Sequence, residues 1–131
     1  MLTRTQLRRI AHARLQDARV LLRGRRYESA LYLCGYAVEL ALKARICTVL
    51  RWQGFPSTPA EFKGLASFKV HDLETLLHLS GREAKIMASY TTEWSVVVKW
   101  DPEARYKPVG SASRAAVLSM IKSVETLLRV L

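Results

Sequence analysis

Half of the 131 residues are hydrophobic, enough apolar material for one core and too little chain for two, which predicts a single domain over 1–131 and excludes a disordered polypeptide. The formal net charge is +10, and residues 1–26 hold eight arginines against the single acid Asp17. Such a field suits RNA, DNA, a nucleotide or an acidic protein, or else forms a solvated face. No run of about 18 residues is apolar and uncharged, which argues against a membrane span, and the arginine-rich start does not read as a signal peptide.

Leu7, Ile10, Ala11, Leu15, Ala18, Leu21 and Leu22 recur at three- and four-residue spacing, predicting an amphipathic helix from about Thr5 to Arg23. Thr3 or Thr5 caps its start, Gly24 ends it, and arginines fill its outer face. A second helix begins at Tyr27 and runs to about Trp52, stopped by Gly54 and Pro56. Leu31, Cys34, Val38, Leu42 and Ile46 make one apolar line, and Leu33, Ala37, Leu40, Ala41 and Ala44 widen it, so this helix is central. Gly35 and the alanines allow another element to approach its backbone. Cys34 and Cys47 lie about 20 Å apart on it, too far to pair; both read as core residues suited to a reducing cytoplasm.

Residues 53–70, punctuated by Gly54, Pro56, Pro59 and Gly64, read as a long loop that Phe55, Phe62, Leu65 and Phe68 fold back onto the core. A short helix follows from His71 or Asp72 to Leu79, with Leu73, Leu76 and Leu77 inward. Ile86, Tyr90, Trp94 and Val97 mark a fourth helix over about Arg82 to Val98, weakened by its β-branched residues. Trp100 to Gly110 form a second loop. Ser111 or Ser113 caps a last helix whose inward residues are Ala115, Leu118, Ile121, Val124 (or Glu125 on the adjoining stripe), Leu128 and Leu131. The expected fold is all-α, an antiparallel bundle of about five helices.

Four features in order resemble the HEPN domains of prokaryotes: the tyrosine-rich entry to the second helix, Glu39-Leu-Ala-Leu-Lys43, His71-Asp72-Leu73, and Trp100-Asp101-Pro102 followed by Arg105-Tyr106. The resemblance extends over nearly the whole chain. It implies a helical bundle that forms homodimers and acts in toxin–antitoxin pairs beside a minimal nucleotidyltransferase, or else a metal-independent ribonuclease. The ribonuclease branch carries an arginine and a histidine with about four to six residues between them on a late helix, one to stabilise phosphate charge and one to move a proton. That pair is missing here, and the last helix has no histidine. The resemblance therefore favours a non-catalytic partner protein, with His12 and His71 as fallback catalytic histidines.

Candidate ligand residues are Glu39, Lys43, His71, Asp72, Arg105 and Tyr106. Glu39 and Lys43, with the acid four residues before the base, suit an ion pair within an apolar helix, either as a brace completed by Arg105 or Tyr106 or as a cleft where Arg105 joins them and His71 lies at the rim. His71 and Asp72 read as a helix start or as a base with its acid. Arg105 can grip phosphate and Tyr106 can stack on a base, or Trp100 and Tyr106 can fill the bundle end while Arg105 pairs with Glu39 or Asp101. Arg4, Arg8, Arg19, Arg23, Arg25 and Arg26 are the candidate nucleic-acid contacts, electrostatic and weakly sequence-selective for want of interleaved aromatics. No metal-ligand spacing and no phosphate-binding glycine loop occurs, so no metal or cofactor is expected.

Overall fold

The computed structural model describes residues 1–131. Six α-helices are present: α1 (Arg4–Arg23), α2 (Tyr27–Leu50), α3 (Leu73–Leu79), α4 (Glu83–Ser89), α5 (Thr91–Val97) and α6 (Arg114–Val130). Helix α2 is the axis of the bundle, packed by α1, α3 and α6, while α5 lies against α6. Its residues Cys34, Val38, Leu42 and Ile46 are buried, as the apolar line requires. They meet Leu7, Ala11, Leu15 and Ala18 of α1 and Leu73, Leu76 and Leu77 of α3 in one continuous core.

Side-chain caps set three helix starts. Thr3 and Gln6 form a reciprocal capping box on α1, Asp72 accepts from the Thr75 amide on α3, and Ser113 accepts from the Ala116 amide on α6. Helix α2 stops at Leu50, short of Trp52, because Arg51 takes a left-handed conformation (φ 56°) and Trp52 N–H donates to the Cys47 carbonyl.

The expected fourth helix is two helices. Tyr90 leaves helical geometry, and the Thr91 hydroxyl donates to the Met87 carbonyl at 2.7 Å, competing with the backbone ladder where two β-branched threonines already weaken it. The last helix is read correctly in part: Ile121, Val124 and Leu131 are inside as expected, but Val117, Met120 and Leu127 complete the buried stripe, while Ala115 and Leu118 are exposed.

Both loops contain short ordered pieces. In the first, β2 (Gly54–Phe55) pairs antiparallel with β1 (Leu2–Thr3), and Ala66–Phe68 form a 3₁₀ turn. A side chain at Gly54 would press within 2.8 Å of the Leu2 carbonyl, so only glycine lets the strands meet this closely. Trp52, Phe55, Phe62 and Phe68 stack edge to face or tilted at 4.8 to 6.3 Å, fastening the loop to the end of α2. In the second, Pro102–Tyr106 form a 3₁₀ turn capped by Asp101. Trp100 lies directly over Gly35 and carries this turn to the flank of α2.

Candidate functional site

Tyr32, Tyr36, Glu39 and Lys43 follow one another at four, three and four residues, so they share one face of α2. Glu39 is only 2% exposed. Its two oxygens have separate partners: Lys43 Nζ donates to Oε2 at 3.0 Å, and His71 Nδ1 lies 3.1 Å from Oε1. Lys43 also stands 5.3 Å from the centre of the Phe55 ring. Tyr36 borders the same carboxylate; burial first, and then the charge of Glu39, push its phenol above its ordinary pKa.

Of the two readings of His71 and Asp72, the helix start holds: Asp72 turns to the Thr75 amide and hydroxyl as a cap, and the carboxylate facing His71 is Glu39, from a different helix, so the base-and-acid alternative fails. Arg105 neither completes the Glu39 brace nor pairs with Asp101. Its guanidinium lies 4.8 Å over the Tyr106 ring, with its charge favoured by the hydroxyls of Tyr106 and then Tyr32. Trp100 does fill the bundle end, tilted against Tyr32 at 6.1 Å between ring centres, but Tyr106 is 69% exposed.

The basic residues separate into distinct settings. Arg19 bridges α1 to α6 through Glu125 at 2.7 Å, and Arg14 pairs with Asp17. Arg23 is exposed and unpaired. Arg25 and Arg26 reach the cavity beside Arg105, described below. Arg4 and Arg8 of α1 approach Arg45 of α2 and Arg82 ahead of α4. Burial first, and then the charges of Arg82, Arg8 and Arg4, lower the Arg45 pKa from its ordinary value. None of the four has an acidic partner, and the Nε atoms of Arg45 and Arg82 are buried without a hydrogen bond. Arg45 and Arg82 escaped the sequence reading because neither belongs to the arginine-rich opening; only the fold gathers them.

His12 lies on α1 beside a cavity of about 220 Å³ shared with Arg8 and with Arg129 of α6. One imidazole and two guanidiniums thus border the same space, although Arg129 is also held by Glu125. The two cysteines are buried and unpaired, and burial pushes the Cys34 thiol up to about 12, so it serves packing.

Together these features define an all-α bundle with a buried ionic network on its central helix and several arginines left without acidic partners. Residues 5–58, covering α1, α2 and β2, match the HEPN domain. No curated protein and no solved structure gives a significant match. No helix is long and apolar enough to cross a membrane.

Proposed function

We propose that the protein is a non-catalytic HEPN-domain partner of a minimal nucleotidyltransferase, acting in a toxin–antitoxin type pair and presenting an RNA-binding face. The observation that carries the RNA-binding half is the cluster of Arg4, Arg8, Arg45 and Arg82, drawn from three parts of the fold with no acid to neutralise it. Gathering four like charges opposes folding, and a polyanion laid across them reverses that opposition. The partner half is supported by the HEPN match and by the family resemblance of the α2 and loop motifs.

Co-expression with the product of a neighbouring nucleotidyltransferase gene should yield a complex that survives size-exclusion chromatography; two separate peaks at micromolar concentration would remove that half. For the RNA half, Arg45→Gln should raise the melting temperature at low salt, by relieving repulsion, while weakening RNA binding and making its salt dependence shallower. An unchanged salt slope would place RNA elsewhere. The same mixtures, held in chelator, should return the RNA intact. Metal-free cleavage that His12→Ala reduces about a hundredfold or more would instead make the cavity of His12, Arg8 and Arg129 a ribonuclease site.

A further inference from the structure

The richest group of unpaired cations outside the α1, α2 and α4 cluster lies at the opposite end of α2. A cavity of about 230 Å³ is bordered there by Arg25 and Arg26 from the turn before α2, by Ser29 and Tyr32 on α2, and by Arg105 and Lys107 from the 3₁₀ loop. We infer that this cavity binds the phosphate group of a phosphomonoester.

Charge is the first reason. Four cations border one small space, and none of them forms an ion pair within the protein. The only carboxylate at the cavity, Glu28, is already engaged: its oxygens accept from the Gly110 amide at 3.0 Å and the Ala112 amide at 3.1 Å. Those bonds pin the far end of the loop that supplies Arg105 and Lys107, so the acid fixes the cavity wall. The first-turn amides of α2 have no capping side chain, and the positive end of a 24-residue helix points the same way. Guanidiniums bind phosphate oxygens through paired N–H donors, which suits this group better than a carboxylate or halide.

The surroundings indicate an ester. Glu28, Ala104 and Lys107 also border an adjoining cleft of about 450 Å³, whose walls include Leu31, Val96, Trp100 and Met120. A phosphate held by the arginines can therefore place an organic substituent against an apolar wall. That substituent belongs either to a small phosphorylated molecule or to the 5′ end of an RNA; the phosphate chemistry is shared.

Arg25 provides a test that leaves the fold intact. Its backbone is left-handed (φ 59°), a conformation glycine adopts without steric cost. Arg25→Gly should therefore unfold at the same temperature or higher, whereas its binding of inorganic phosphate, followed by calorimetry, should weaken about tenfold or more. Arg105→Gln should do the same, and Arg9→Gln, which removes an exposed charge from α1 outside the cavity, should change affinity less than about twofold. Adenosine monophosphate, and 5′-phosphorylated against 5′-hydroxyl oligoribonucleotides, serve as the ester probes. Tighter binding of the mononucleotide marks a small ligand, and a preference for the phosphorylated oligonucleotide marks an RNA end; either supports the site. Absence of saturable phosphate binding up to roughly 10 mM, or equal affinities of the Arg25→Gly and Arg9→Gln proteins, overturns it. The inference goes beyond the partner reading and uses the isolated chain, so its failure leaves the co-expression result standing, and the reverse holds too.

Discussion

Gly35→Ala should be among the most destabilising single substitutions in the chain, although it replaces glycine with the best helix former in the middle of a long helix. Intrinsic propensity alone favours alanine by about 1 kcal/mol. The added methyl, however, would lie 2.1 to 2.3 Å from three atoms of the Trp100 ring, a separation no rotamer adjustment of a methyl can relieve. Either α2 and the 3₁₀ loop move apart, at about 1–3 kcal/mol, or the indole leaves its site at roughly the 3–5 kcal/mol of a Trp→Ala change. Packing wins, and the melting temperature should fall by roughly 10 °C.

The sign should then reverse in a second background. With Trp100→Ala already made, there is no ring to displace, and adding Gly35→Ala should be neutral or stabilising by up to about 1 kcal/mol. Thermal unfolding of the four proteins decides the matter; an additive loss in the double variant would show that Gly35 is needed for something other than the indole. Because Trp100 carries the turn that holds Arg105 and Lys107, the Gly35→Ala protein should also lose phosphate affinity even where it remains folded.

The contrast between Gly35 and Glu39 shows where the sequence was legible. The apolar line of α2 from Cys34 onward and the leucines of α3 sit at the burial their spacing demands, Leu31 being only half-buried, and Gly35 was recognisable as a point of close approach. Its occupant, Trp100, lies too far along the chain for any local pattern to name. Helix α6 was legible only in its second half, where Ile121 and Val124 are inside as expected: before them Val117 and Leu118 offer adjoining apolar stripes, and only packing on α2 and α5 selects the first. The two-residue strands are too short for a period of two to register. At the candidate sites, Glu39 with Lys43 was readable as a local pair, but His71 joins from 32 residues away. Likewise the opening arginines and the Arg105 loop looked like separate candidates, and the fold sets Arg25, Arg26 and Arg105 around one cavity.

The Glu39 network yields the other large effect. Lys43→Met removes the partner of Oε2 and leaves a carboxylate that is 2% exposed with His71 alone, which should destabilise the protein by about 3–5 kcal/mol. His71 compensates poorly because its own side chain is 58% exposed and stays in reach of water; His71→Ala should accordingly cost no more than about 1 kcal/mol. Glu39→Leu should cost less than Lys43→Met, since Lys43 keeps its contact with the Phe55 ring and some access to solvent. The double variant, Glu39→Leu with Lys43→Met, removes both charges and should recover most or all of the loss. A double-mutant cycle by denaturant unfolding should therefore give a coupling of at least about 2 kcal/mol. If the double variant is as unstable as Lys43→Met alone, the charge left unpaired is not the cause. The recovered protein also separates a brace from a binding site: an apolar pair at these positions preserves packing and abolishes the charges, so retained RNA and phosphate binding assigns Glu39 and Lys43 to architecture, and lost binding assigns them to a ligand.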